Sequence, residues 1–485
     1  MSFGTAFSSA LSGLTAASKA SELVSSNIAN ATTPGYGRRA LSLSAQTTGP
    51  NGQGVKIAGI NRAEDRPLLS DRRLAQSAQG DAQARHAFFD RLQTLMGTPD
   101  QPASLSGRVA ALGSALTEAV SHPESDARLG TVAATAKALA SGLAAIGADI
   151  QSARTRADAD ILSQVQQVNA ALGRAAKLNG QIQAGLSAGQ DTSALQDQRQ
   201  QTIDQIAQIL PLREVAQKNG MVALYTTGGA VLLDGRPSVF GFTPTTAISP
   251  AMTLQSGGLS GLTLNGQAAL ATGADSLLGG GTLAANFALR DDIAVSAQAQ
   301  IDAVARDLVE RFQNSALDPT RAVGAAGLFT DAGAPFVTAN EVGLAQRLTL
   351  NRAVDPAQGG ALWRLRDGLG ATTPGPPGAN ALLASLNAAL TGNRQTVSGA
   401  FLPAPRSFSV LTGDLLSITA ANTLAAEAEA TFATTRLETF SSIEAQGGVD
   451  TDFEMQSLLQ IEQSYTANAK VLKAVGDMMQ TLLDM

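Results

Sequence analysis

The chain has 485 residues, enough at about 150 per domain for roughly three domains with cores of their own. It contains no cysteine, which excludes disulfide staples, thiolate metal sites and a cysteine nucleophile. Its 34 Lys+Arg against 40 Asp+Glu leave a net charge of −6, too even for affinity built on phosphate neutralisation, so no nucleic acid partner is expected.

Residues 1–31 lack the basic start and apolar core of a Sec signal, so no cleaved leader is expected. Phe7, Leu11, Leu14, Val24 and Ile28 fall instead at roughly helical spacing among Ala and Ser. The following stretch is a helix stop: Asn30 can cap, Pro34 cannot continue a helix, and Gly35 supplies a turn before Tyr36 and the basic pair Arg38-Arg39. Gly52 to Arg62 reads as a short strand or hairpin arm. Helices are predicted over Leu68–Met96, Leu105–Val120, Asp126–Leu186 and Leu195–Leu210, the last ending at Pro211. In the longest, Ile161, Val165, Val168, Leu172, Ala175, Asn179, Ile182 and Leu186 alternate spacings of four and three, a coiled-coil-like seam in which Asn179 would fix register.

Between Leu212 and Gly281 the composition turns to Gly, Thr and β-branched residues. Val222, Leu224 and Thr226 alternate before Gly228-Gly229, and Asp234-Gly235 and Asn265-Gly266 mark further turns, so a β domain is predicted. Helix resumes from Leu283 to Ala316 with Ile301, Val304, Leu308 and Phe312 on one face, which makes the β segment an insertion. Residues 318–405 are read as short strands near Phe336 and Leu348, a Pro-Gly loop at Pro374–Gly378 and a helix over Leu382–Leu390. A helix from Phe408 to Ala445 stops at Gly447-Gly448. In the last segment Leu458, Tyr465, Leu472 and Met479 repeat every seven residues, with Ile461, Asn468, Val475 and Leu482 between them. The expected fold is mainly α with an inserted β domain, built on a long antiparallel, coiled-coil-like bundle. Its expected units are 1–62 with 450–485, 63–211 with 282–317 and 406–449, 212–281, and 318–405.

No window approaches the roughly 18 uninterrupted apolar residues of a spanning helix, so membrane insertion is not expected. Aromatics are only 4% of residues, and an Ala/Leu/Val/Ile core suits closely packed helices better than a ring-lined catalytic pocket. His86 and His122 have no ligand or base motif around them. Gly279-Gly280-Gly281 lacks the Lys of a phosphate loop and reads as a hinge, and the adjacent Asp291-Asp292 diverge on a helix as solvated or capping groups. No catalytic residue, metal site or cofactor is expected.

A terminal helix with a heptad stripe must bury it, either on the central helices of a monomer or against the other terminus and neighbouring subunits. Asn30-Ala31-Thr32-Thr33-Pro34-Gly35-Tyr36 behind a nearly uncharged Ala/Ser/Leu helix resembles the N-terminal signature of the bacterial flagellar rod, hook and hook-associated proteins. Gly448-Val449-Asp450, Glu454, Tyr465, Ala467-Asn468-Ala469 and Leu482-Leu483 resemble the C-terminal signature of the same axial family, with Asp452-Phe453-Glu454 departing from its usual acidic pair. Leu105-Ser106, Pro123, Ala127-Arg128, Leu178 to Ile182, Leu195 to Arg199 and Gly279 to Leu283 leading into Phe287 and Arg290 resemble the helical domain of its hook-associated members.

The resemblance covers both ends and about half of the chain. It implies a structural subunit between hook and filament, exported by the flagellar type III route without a cleaved signal, briefly cytoplasmic and then extracellular. The terminal helices would line an inner tube, with Phe7, Leu11, Leu14, Ile28, Asn30, Pro34, Gly35, Tyr36, Leu458, Ile461, Tyr465, Asn468, Leu472, Val475, Met479 and Leu482 as assembly contacts. Implied partners are hook protein subunits, the second hook–filament junction protein, further copies of this chain in a ring or helical layer, and an export chaperone on Leu458, Ile461, Tyr465, Leu472, Val475 and Leu482. The alternatives are a hook or distal-rod protein, a secreted effector or adhesin, or an enzyme with a hydrolytic outer domain.

Overall fold

A computed structural model describes residues 3–33, 35–48 and 51–484; Pro34 lies outside the described residues. The chain begins with helix α1 (Phe3–Ala29) and a two-stranded antiparallel ribbon of β1 (Arg39–Thr48) and β2 (Asn51–Arg62). The sequence reading found only the second of these strands and passed over β1, although Leu41, Leu43 and Ala45 alternate there with Ser42 and Ser44.

Helices α2 (Arg66–Met96), α3 (Leu105–Ser121), α4 (Asp126–Ser187) and α5 (Ser193–Ala207) follow. Their starts are local chemistry. Asp65 accepts from the Leu68 N–H at 3.0 Å with Pro67 in the first turn, and Ser104 accepts from the Gly107 N–H at 3.0 Å. The 62 residues of α4 make it about 90 Å long. By composition it is, among the described residues, the one helix long and apolar enough to cross a membrane. Its apolar residues serve two protein cores instead. From Leu129 to Ala157 they pack with α3 and the later helices, and from Ile161 to Ala175 they pack with α5 and the inserted sheets.

The insertion comprises a four-stranded antiparallel sheet, β3 (Leu212–Ala216), β4 (Val222–Thr226), β5 (Val231–Asp234) and β6 (Arg236–Pro237), and a three-stranded one, β7 (Phe240–Gly241), β8 (Leu262–Leu264) and β9 (Gln267–Ala269). The turns fall at the glycine pairs: Asn265 and Gly266 have φ of 52° and 79°, the double positive φ of a tight hairpin. The seam of α4 is buried from Ile161 to Ile182, but it faces this sheet and α5 rather than a partner helix of a coiled coil. Asn179 correspondingly pins a strand, donating to the Val222 carbonyl at 2.8 Å while accepting from Arg199 Nη1 at 2.9 Å. The triple glycine after β9 is no hinge. A Cβ at Gly281, φ +86°, would lie 2.5 Å from the Ile209 carbonyl and 2.7 Å from Ser77 Oγ, so three elements close on bare backbone.

Helix α6 (Gly281–Ala288) runs through a π-helical segment, Leu289–Ile293, into α7 (Ala294–Gln313). The widened turn places buried Arg290 between Asp158 at 2.6 Å and Asp291 at 2.8 Å, and Arg154 Nε donates to the Arg290 carbonyl at 2.8 Å. Residues 318–405 hold β10 (Phe329–Asp331), α8 (Leu344–Arg347), β11 (Leu348–Leu350), α9 (Arg364–Asp367), α10 (Ala381–Thr391), β12 (Arg394–Gln395) and β13 (Pro405–Arg406). The strand expected near Phe336 lies at Phe329–Asp331 instead, paired with β11, while Phe336 is a core side chain in a loop. Leu328, Phe329, Leu344, Leu365 and Leu383 of this region share one core with α3, α4 and α7.

Helix α11 (Phe408–Gln446) returns antiparallel along α2, with Thr434 beside Gln79, Glu444 on Arg72, and Ala430 and Ala433 against Ala82. After Gly447-Gly448, α12 (Thr451–Leu483) runs back along α1, capped by Asp450, which accepts from the Asp452 N–H at 2.9 Å. The architecture is thus mainly helical with an inserted β region.

Candidate assembly interface

The two terminal helices form an antiparallel pair. Asn27 near the end of α1 meets Glu454 in the first turn of α12, and Gly13 lies against Asn468. The α1 face toward α12 is built from small residues, with Ala10, Ala16 and Ala17 buried beside Leu23 and Val24, which lets two backbones approach closely.

Asn27 is wholly buried, and every hydrogen-bonding position of its amide is used. Its Nδ2 donates to the Arg39 carbonyl at 2.8 Å and to Glu454 Oε2 at 3.1 Å, and its Oδ1 accepts from Tyr36 Oη at 2.9 Å and the Arg39 N–H at 3.0 Å. Glu454, 1% exposed, receives Arg38 Nε on its other oxygen at 2.6 Å. Arg38 also lies over the Phe453 ring and Arg39 over the Tyr36 ring, each with 4.9 Å to the centroid. Asp197 on α5 accepts from Arg39 Nη2 at 2.8 Å, Arg62 Nε at 2.7 Å and the Gly37 N–H at 3.3 Å. One polar cluster therefore ties α1, the turn, both ribbon strands, α5 and α12 together.

The residues singled out from the sequence separate into two groups. Tyr36 and Asn30 serve the turn itself: Asn30 Nδ2 donates to the Ser26 carbonyl at 2.9 Å, and the Tyr36 hydroxyl reaches Ser26 Oγ at 3.2 Å as well as Asn27. Gly35, at φ +76°, supplies the left-handed position of that turn. Ile28 is half-buried, and Leu14 lines a cleft of about 810 Å³ with Ile57, Ile60 and Leu186. On α12, Leu458, Ile461, Asn468 and Leu472 are half-buried and Val475 is buried.

The second group faces outward: Phe7, Leu11, Tyr465, Met479 and Leu482 are between 43% and 58% exposed. Met455, Leu459, Val471, Met478 and Leu483 add to this open apolar surface and were not among the residues named from the heptad, which marks one stripe while α12 carries apolar residues on a second. Of the described residues of α12, only Glu454 and Val475 are buried. Sequence reasoning also left Asn27, Glu454 and Asp197 out of the interface. Glu454 stood inside the C-terminal signature and Asn27 three residues before the N-terminal one, whereas nothing in the sequence around Asp197 points to a partner more than 130 residues away.

Of the side chains weighed for catalysis, His122 and Asp291 are engaged elsewhere. His122 ends α3 and pairs with Glu124 at 3.3 Å, and Asp291 is held by Arg290, while burial and the neighbouring Asp291 raise the carboxyl of Asp292. Among the described residues no group of three or more His, Cys, Asp or Glu is placed to hold a metal.

Comparison with known families matches residues 72–327 to the flagellar hook-associated protein FlgK helical domain, residues 7–36 to the flagella basal body rod protein family, and residues 445–485 to the flagellar basal body rod FlgEFG protein C-terminal family. Over 233 residues the chain is 28% identical to flagellar hook-associated protein 1 of Salmonella typhimurium, covering 47% of this chain and 42% of that one. It is 24% identical to the Bacillus subtilis protein of the same name, covering 46% of each. The chain thus spans less than half the length of these curated relatives. The flagellar hook junction protein FlgK of Burkholderia pseudomallei aligns structurally at 21% identity with a TM-score of 0.43, over 54% of this chain and 46% of that one. With the FlgK helical-domain match running through just over half of its residues, flanked by an axial-protein match at each end, the chain belongs to the flagellar hook-associated FlgK family.

Proposed function

We propose that this chain is a structural, non-catalytic subunit of the junction between flagellar hook and filament, with the α1/α12 pair as its assembly element and the α2–α11 body and β insertion facing outward. The observation that carries the reading is the apolar surface left open on both terminal helices, where α12 buries only Glu454 and Val475 among its described residues while α4 buries its apolar rows in two cores. In water such a surface favours contact with further apolar helices, and a repeated, non-closing contact builds a tube or layer. Other copies of this chain, hook subunits and the second junction protein are the proposed neighbours. An export chaperone would cover Leu458, Ile461, Tyr465, Leu472, Val475 and Leu482 before secretion. The protein would pass from the cytoplasm through the flagellar export channel, and the absence of cysteine from the chain suits threading through it.

Deletion of residues 1–31 or 458–485 is expected to abolish incorporation at the hook tip and to leave the remainder folded, as measured by filament attachment and by the thermal melt of the purified chain. Filaments that still attach would sink the junction reading. Loss of chaperone capture in the second deletion alone would support the proposed chaperone segment.

A further inference from the structure

The heptad that lets α12 pair with α1 leaves their relative position undetermined. Sliding α12 by seven residues, about 10 Å, would set Ile461 where Glu454 stands and again match apolar residues to the small-residue face of α1. Glu454, Ile461, Asn468, Val475 and Leu482 occupy the same heptad position, so the seam reads Glu, Ile, Asn, Val, Leu along one row. Only its polar members have unique partners. Glu454 is buried against Asn27 and Arg38, and Asn468, its Nδ2 held by the Ser464 carbonyl at 3.0 Å, lies so close over Gly13 that a Cβ there would come within 2.8 Å of it. Glu454 and Asn468 are fourteen residues apart on α12, as Gly13 and Asn27 are on α1, so both contacts specify one register. In a slipped pair the guanidinium of Arg38 and the amide of Asn27 would face an aliphatic side chain, leaving polar groups unpaired in a dry site.

We infer that Glu454 is a positioning residue that selects the register of α12 on α1. Through Arg38, Arg39 and Asp197 it refers that register to the body of the molecule. The inference rests on the assembly reading above only for its consequence: the axial position of Met478, Met479, Leu482 and Leu483 relative to the outer domains is set at Glu454, at the far end of the helix from them.

The cysteine-free chain allows a direct test by disulfide trapping in the full-length protein. Gly13→Cys with Asn468→Cys reports the observed register, and Gly13→Cys with Val475→Cys or with Ile461→Cys, each carrying Asn468→Ala to make room for the Cβ at position 13, reports a seven-residue slip in either direction. Because Asn468→Cys removes the second polar seam residue, Glu454 alone holds the register in the first pair. With Glu454 present, trapping is expected in the first pair only. Glu454→Ile is expected to shift the ratio of in-register to slipped trapping by about tenfold or more, and Glu454→Gln, which keeps one acceptor oxygen for Arg38 but turns an amide donor toward the Asn27 donor, is expected to restore only part of it. Unchanged in-register trapping in Glu454→Ile overturns the inference. So does loss of in-register trapping with no gain in either slipped pair, which would make Glu454 a clamp without register selectivity. Incorporation at the hook tip is scored separately on the cysteine-free Glu454→Ile chain: slipped helices that still incorporate sink the assembly reading and leave the register inference standing.

Discussion

Asp302 on α7 shows how burial and hydrogen bonding compete at a single side chain. Its carboxylate accepts from the Gly343 N–H at 2.7 Å, the Ala345 N–H at 2.8 Å and Gln298 Nε2 at 2.9 Å, which favour the charged form, yet burial outweighs them and lifts its pKa to about 6. The folded protein then holds a proton that the unfolded chain releases near pH 4. Stability from this group is therefore greatest below pH 4, falls as pH rises to 6 by about 3 kcal/mol, and is level above that. Carboxyl-detected NMR is expected to give Asp302 a midpoint near 6; a midpoint below 4 would mean that the three donors outweigh desolvation. The sequence shows Asp302 one turn after Gln298 on a helix and nothing of its two backbone donors, because Gly343 and Ala345 lie more than 40 residues on, at the start of α8.

Among the elements, the seam of α4 and the pair α1/α12 were both visible as periodic apolar rows; the α4 row is buried from Ile161 to Ile182, the terminal rows only in part. A periodic row states that something apolar covers it, not what. For α4 the cover is α5, α6 and a β-sheet together, and Asn179 became a bridge between helix, strand and Arg199. Asn179→Ala removes the acceptor of Arg199 and the Val222 N–H and the donor to the Val222 carbonyl, and is expected to cost about 2 kcal/mol in denaturant unfolding. A loss under 0.5 kcal/mol would mean that water replaces it. The glycine triplet was legible as a break, but its three positive φ values and the close approach of the Ile209 carbonyl and Ser77 arise only when α2, α5 and α6 meet.

Across the whole molecule, stability is distributed unevenly. Helix α4 is anchored in both cores along most of its length, whereas α12 buries two side chains of its described residues and depends on α1 and the Glu454 cluster. Amide exchange in the isolated chain is expected to be fast throughout α12 and slowest in the middle of α4, with limited proteolysis trimming α12 before it cuts the α2–α11 body. Equal protection in the two helices would contradict this ranking. The sequence by itself determined the helical periodicities, the hairpin turns and the apolar ends, because each depends on residues a few positions apart. The tertiary structure alone decided which surface covers the α4 seam, that Asp158 neutralises Arg290 across 132 residues, and that Asn27 meets Glu454 across 427. A heptad repeat is degenerate under a seven-residue shift and a buried charge can be matched by any opposite charge the fold delivers, so register and pairing are fixed only where distant segments close on one another.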